Sequence, residues 1–180
     1  MALLAKSFRT AVERGAEDLE ARSDMMMAAT FAGMGFGNSG VHIPHANAYP
    51  IAGMVKDYRP AGYPQDEPMV PHGQSVSLTA PEAFRFTFDA DPERHLRAAH
   101  LLDPRAEQTG DPAEFLPAVL TALMRDVGIP DGIGAVGYVE GDVPDLVDGA
   151  MKQQRLLATA PKDVTEDDVA GILTRSLRLW

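Results

Sequence analysis

The sequence predicts an all-α protein, because helix-start signals recur along the chain whereas segments with strand character are scarce. Residues 75–79 and 84–88 alternate briefly between apolar and polar side chains, but hairpin turns frame neither run. The chain has no internal repeat, and its two glycine-rich stretches (33–40 and 128–141) are interpreted as joints between helices. We therefore expect one helical domain over residues 1–180.

The individual helices are predicted from apolar spacing and from the residues at their ends. Asp91 and Asp111 each precede a proline, a pair that caps a helix and opens its first turn. Glu114 is placed to complete a capping box with Asp111, and Thr165 has Asp168 three residues on. The predicted helices cover about residues 3–14 and 17–35, a segment from near Pro44, residues 92–102 and 111–127, a segment after Pro144 and a last one from Thr165.

Composition excludes several classes of function. The chain has 16 basic and 26 acidic side chains and a formal net charge of −10, so nucleic acid and anionic membranes are unfavourable partners. With 0 cysteines it has no disulfide, thiolate nucleophile or cysteine-bound metal, which fits a cytoplasmic location. No apolar run is long enough to span a bilayer. Acidic residues from Glu13 onwards favour an ordinary first helix over a transit peptide at the start of the chain.

Two glycine patterns invite a nucleotide-binding interpretation that their surroundings do not support. Gly132-Ile-Gly134-Ala-Val-Gly137 has the spacing of the dinucleotide fingerprint. That fingerprint requires a strand before it and a helix starting inside it, and a predicted helix precedes it here. We interpret it as a loop between helices. The small residues at the end of the second helix, including Gly33 and Gly35, are expected to admit a closely packed neighbouring element.

Five histidines are the main chemical resource of the chain. His95 and His100, five apart, share no helical face well and are expected at the surface or its rim. His42 and His45 are three apart, Tyr49 lies four beyond His45, and His72 stands in a Pro-His-Gly sequence where a helix could start. Neutral imidazoles on one helical face can bind a divalent metal, but chance spacing is the commoner explanation. The residues alone leave both interpretations open.

A longer pattern around these histidines favours the metal site. The run Ala32-Gly-Met-Gly-Phe-Gly-Asn-Ser-Gly-Val-His-Ile-Pro-His-Ala46, followed by Pro71-His72-Gly73, resembles the metal-site signature of the iron-containing (group III) alcohol dehydrogenases. The resemblance extends over about residues 4–180. Within that family, the hydroxyacid–oxoacid transhydrogenase branch is indicated by residues 17–22, 55–70, 92–96 and 161–165.

The resemblance implies the C-terminal helical-bundle domain of the dehydroquinate synthase-like fold, without its N-terminal α/β nucleotide-binding domain. It implies that His45 and His72 are ligands of a divalent metal, iron or alternatively zinc. Tyr49 stands where the family commonly has a histidine in the substrate pocket, and we expect it to take a catalytic part. The family's metal has an aspartate and three histidines as ligands, and no histidine precedes His42 in this chain.

These implications predict a chain that supplies two ligands and depends on a missing NAD-binding half for hydride transfer. It would be the C-terminal part of a metal-dependent alcohol or hydroxyacid dehydrogenase or of a hydroxyacid–oxoacid transhydrogenase, with the complementary N-terminal half as its partner. The alternative is an inactive remnant or helical association module, which would expose apolar surface and form a homo-oligomer. A third interpretation, a separate metal-binding protein, uses His42, His45 and His72.

Overall fold

The computed structural model describes all 180 residues, and every regular element in it is helical. The predicted all-α class is therefore confirmed, and the strand-like runs 75–79 and 84–88 lie largely in the helices His72–Ser77 and Ala80–Thr87. No helix is both long and apolar enough to cross a bilayer. In chain order the α-helices are α1 Ala2–Arg14, α2 Leu19–Ser39, α3 Ile43–Gly53, α4 His72–Ser77, α5 Ala80–Thr87, α6 Pro92–Leu102, α7 Phe115–Asp126, α8 Val143–Met151, α9 Gln154–Leu157 and α10 Glu166–Arg175.

Side chains cap the starts of three of these helices, α2, α6 and α10. The Asp91 carboxylate accepts a hydrogen bond from the Arg94 N–H, and Thr165 and Asp168 form the predicted capping box. The predicted box at Asp111 and Glu114 is wrong. Asp111 caps a short 3₁₀ turn before α7, whereas the carboxylate of Glu114 accepts from the Arg85 guanidinium at 2.6 Å. That ion pair ties α5 to the start of α7.

Helix α3 lies at the centre of the packing and contacts α4 and α5 as well as α8 and α9. Its inward side chains are almost fully enclosed, with Ile43 and Ile51 both 0% exposed. On α8, a Cβ added to Gly149 would stand 2.6 Å from the Cβ of Pro50, so glycine lets these two helices approach closely. The Tyr138 hydroxyl donates to the Ile51 carbonyl at 2.7 Å. These contacts fix α3 on several sides.

A buried carboxylate joins three further elements. Glu82 on α5 is only 6% exposed and accepts a hydrogen bond from the Arg175 guanidinium of α10 at 2.7 Å. It also pairs with Arg85, whose second partner is Glu114. Charged groups of this kind are buried only when they are paired, and here the pairs connect α5, α7 and α10. These ion pairs hold α5 against both α7 and α10.

Helix α2 differs from its prediction in length and in surroundings. It continues past residue 35 to Ser39 and ends at Gly40, whose positive φ of +76° favours glycine. No atom lies within 4 Å of a Cβ placed on Gly33 or Gly35. The expectation that these residues admit a closely packed element is therefore wrong within this chain. The second half of α2 stands free of the other helices.

The second glycine stretch has a clear packing role. The N–H groups of Ile133 and Gly134 donate to the carbonyls of Ser176 and Leu177, at 2.7 and 3.0 Å. A Cβ would stand 2.3 Å from the Ser176 oxygen at Gly132, and 2.5 Å from the Leu177 oxygen at Gly134. The loop therefore packs its backbone directly on the end of α10. These two amides donate hydrogen bonds within the chain. The close packing of the loop on α10 therefore accounts for the fingerprint-like glycines, and no phosphate ligand is needed to explain them.

Candidate metal centre

The structure brings the two predicted ligands together. His45 lies in the first turn of α3, and His72 is the first residue of α4. Their ring centres are 5.4 Å apart and the ring planes are inclined by 59°. Two imidazoles bound to one ion at about 2.1 Å have ring centres roughly 5 Å apart, so the observed pair fits a shared divalent metal. The sequence separates these residues widely, and the packing of α4 on α3 brings them together.

The electrostatics at His45 favour the form of histidine that binds metals. Partial burial lowers the pKa of His45, and the neighbouring His72 lowers it further because two imidazolium charges would repel each other. The lowered pKa favours the neutral form of the His45 imidazole. A neutral imidazole has a free nitrogen lone pair, which is what a divalent iron or zinc ion requires.

Tyr49 lies one helical turn beyond His45, and the spacing of four residues places both on one side of α3. Its side chain is 52% exposed. His72 is likewise exposed. A substrate could reach this side of α3 without rearrangement of the core.

His42 has a different and more buried environment than His45 and His72. It is the residue before α3, and its ring packs edge-on against Phe84 at 5.9 Å. Burial lowers its pKa, and the nearby His45 and His95 add to the effect. Its buried Nδ1 has no hydrogen-bond partner. Across residues 1–180 no three histidine, aspartate or glutamate side chains are grouped as a metal would need, so the three-histidine site of the third interpretation is absent.

The prediction for His95 is wrong, because this residue is buried rather than at the surface. Its Nδ1 lies 2.8 Å from the Asp91 carbonyl and its Nε2 lies 3.1 Å from the Thr87 hydroxyl, so both ring nitrogens are satisfied. Phe84 and Phe88 pack edge-on against the same ring. His95 is therefore a core histidine. His100 is exposed, as predicted, and stacks edge-on against Phe115.

Sequence reasoning missed the polar residues that support α3 from behind. Asn47 and Thr79 are both 0% exposed, and the Asn47 amide donates to the Thr79 hydroxyl at 3.3 Å. Tyr138 is buried as well, and burial followed by the nearby Asp142 raises its pKa to about 12. The one signal for Asn47 in the sequence is an amide within a stretch of small and apolar residues.

The structure is an all-helical domain in which α3 and α4 bring two histidines together. Comparisons with known proteins identify the family to which this domain belongs. A sequence model described as the C-terminal part of the Fe-containing alcohol dehydrogenase family matches residues 1–177. The chain therefore belongs to the iron-containing alcohol dehydrogenase family and corresponds to its C-terminal domain. It is 42% identical over 180 residues to a mitochondrial hydroxyacid-oxoacid transhydrogenase of Bos taurus and 44% identical to that of Homo sapiens, which supports the transhydrogenase-like branch.

Solved structures agree with this assignment. The chain superposes on a 1,3-propanediol oxidoreductase and on an alcohol dehydrogenase from Oenococcus oeni, each with a TM-score of 0.81, 29% identity and coverage of 97% of this chain. The match covers 42% of each of those chains, and 38% of the bovine and human transhydrogenases. The chain thus spans about two fifths of the length of the relatives that it matches.

Proposed function

We propose that this chain is the metal-binding part of a hydroxyacid–oxoacid transhydrogenase or alcohol dehydrogenase, and that it acts together with an NAD-binding N-terminal half. The observation that carries the proposal is the convergence of His45 and His72 at a ring-centre distance of 5.4 Å. The similarity to transhydrogenases over 99% of the chain supports the reaction class. The cytoplasmic location stays a prediction, since the bovine and human relatives are described as mitochondrial.

In this proposal the chain's own residues hold and orient the reacting groups. His45 and His72 would supply two imidazole nitrogen ligands to divalent iron, or alternatively zinc. When bound, such an ion supplies Lewis-acid chemistry, which polarises the substrate oxygen. Tyr49 would donate a hydrogen bond to a substrate that lies along the exposed side of α3. Hydride transfer to or from NAD would take place at the junction with the other half. That half would also supply the remaining ligands of the metal.

The free half of α2 supports the existence of such a partner. Large apolar side chains of this helix are strongly exposed, including Met26 (76%), Phe31 (59%) and Met34 (64%). At 100° per residue, Met26, Phe31 and Met34 lie on one broad face, whereas Phe36 lies on the opposite side. A helix that is apolar on all sides is normally buried by neighbours. The partner half would therefore enclose α2.

The same surface favours the second candidate function, a helical association module that binds copies of itself. The two candidates differ in what they require of the histidines. A metal-binding half needs His45 and His72 for function, whereas a self-association module depends on α2 and is indifferent to both. The interpretation as an inactive remnant requires neither surface nor histidine pair to have a function.

Activity after reconstitution tests the proposal. We expect the purified chain alone to oxidise no hydroxyacid with NAD. Co-expressed with the N-terminal part of the human transhydrogenase that precedes the matched region, and supplied with Fe²⁺, it should form a complex that transfers hydride from a hydroxyacid to an oxoacid. In that complex His45→Ala or His72→Ala should reduce kcat/KM by at least about a thousandfold, since either change removes a metal ligand.

His100→Ala is the matched control, because this histidine is exposed and lies on α6 away from the pair. It should leave the activity of the complex unchanged. Turnover by the chain alone would contradict the need for a second half. Full activity of the His45→Ala complex would contradict the ligand role.

A further inference from the structure

A buried polar pair lies directly behind the histidine pair. Asn47 is two residues after His45 on α3 and faces the opposite side of that helix, toward the core. Thr79 follows the C-terminal end of α4, the helix that begins with His72. The Asn47–Thr79 contact of 3.3 Å is the one hydrogen bond that joins α3 to the segment formed by α4 and α5.

The contribution of this polar pair to the stability of the fold does not explain its presence. Both side chains are 0% exposed, and the Oδ1 of Asn47 has no hydrogen-bond partner. A buried polar atom without a partner is destabilising, and an apolar side chain of similar size would avoid that penalty. Buried polar contacts are retained in some proteins because they specify one arrangement of neighbouring elements. The arrangement at issue here is the position of α4 on α3.

The position of α4 also decides the geometry of the histidine pair. Helix α4 has only six residues, from His72 to Ser77, and a helix this short has little stability of its own. Apolar contacts such as Leu78 with the main core permit small shifts along α3, because they have no preferred direction. A hydrogen bond is directional and therefore fixes the offset between the two helices.

We infer that Asn47 is a positioning residue, which acts through Thr79 to hold His72 at the distance from His45 that a shared divalent metal requires. This inference rests on the proposed metal site. Asn47 itself would contact neither the metal nor the substrate. It explains why a buried amide stands on α3 among apolar neighbours.

Two variants that preserve side-chain shape test the inference, Asn47→Leu and Thr79→Val. The first readout is metal-free: the nuclear Overhauser contact between the ring protons of His45 and His72. We expect it in the wild-type chain and expect it weakened in both variants. The second readout is Zn²⁺ affinity by isothermal titration, which should fall about tenfold or more in each variant, as for other residues that orient metal ligands. Each single variant leaves its buried partner unpaired and should lower the midpoint of thermal unfolding slightly, whereas the double variant Asn47→Leu/Thr79→Val should keep the midpoint equal or raise it.

Thr87→Val is the matched control, because Thr87 is 1% exposed and its hydroxyl contacts Ala83 and His95 rather than α3. It should leave the ring contact and the Zn²⁺ affinity unchanged. A wild-type ring contact and Zn²⁺ affinity in Asn47→Leu would overturn the inference. If the wild-type chain shows the ring contact but binds no Zn²⁺, the proposed metal site fails, and the ring contact in the variants still decides the positioning role.

Discussion

Replacing Gly132 with alanine is expected to lower the free energy of unfolding by about 2–4 kcal/mol, from steric overlap and from a left-handed backbone. The backbone at Gly132 has a φ of +73°, and a Cβ there would stand 2.3 Å from the Ser176 carbonyl oxygen. The obstacle is backbone and not the tip of a flexible side chain. The end of α10 would therefore have to move away from the loop. Urea unfolding monitored by far-ultraviolet circular dichroism measures the loss.

Gly141→Ala is the matched control within the same glycine-rich stretch. No atom lies within 4 Å of a Cβ placed on Gly141, and its φ is not positive. Alanine there should be neutral or stabilising by about 0.4–1 kcal/mol, because it restricts the unfolded chain. Equal stabilities of the two variants would contradict the packing role assigned to the glycines at 132 and 134. That result would reopen the question of what these glycines are for.

The backbone amides in the second half of α2 are expected to exchange with solvent at least about a thousandfold faster than those of α3 and α10. Residues 29–39 are exposed apart from the half-buried Gly33, so exchange of their amides requires only local unwinding of a helix. Amides in the core exchange through global unfolding, which costs about 5 kcal/mol or more. Hydrogen–deuterium exchange of the isolated chain, followed by mass spectrometry, measures the ratio.

Protein concentration separates the two candidate functions in this experiment. A domain that awaits a different partner should show the same fast exchange in α2 over a hundredfold range of concentration. Protection that rises with concentration would favour the association module. If the amides of α2 were as protected from exchange as those of the core at the highest dilution, the claim that the second half of α2 is exposed would be contradicted. Phe31→Lys provides a control: since this side chain is 59% exposed, the change should leave the unfolding midpoint nearly unchanged.

Local chemistry explains why most of the fold could be predicted from the sequence. Helix starts such as Asp91 and Thr165 depend on side chains within three residues of the cap, so they are visible in a short stretch of sequence. Glu114 does not complete the predicted capping box, because its carboxylate pairs with Arg85, 29 residues away, in place of the local bond. The end of α2 was placed too early because glycines at 33, 35 and 37 weaken a helix without stopping it.

The candidate site could be predicted only in part. His45 and His72 came from a family resemblance, and the packing of α4 on α3 then placed their rings together. Nothing local signals that His95 is buried, since its burial depends on Phe84, Phe88 and Thr87 from another helix and turn. The contact between Asn47 and Thr79 spans 32 residues and was invisible for the same reason.

The central claim is that His45 and His72 bind one divalent metal ion. Titration of the ¹⁵N-labelled chain with Zn²⁺, followed through the imidazole signals in two-dimensional NMR, tests it most directly. The signals of His45 and His72 should shift together and saturate at one equivalent, while those of His42, His95 and His100 stay in place. Zn²⁺ that leaves both signals unmoved, or that shifts only one of them, would contradict the claim.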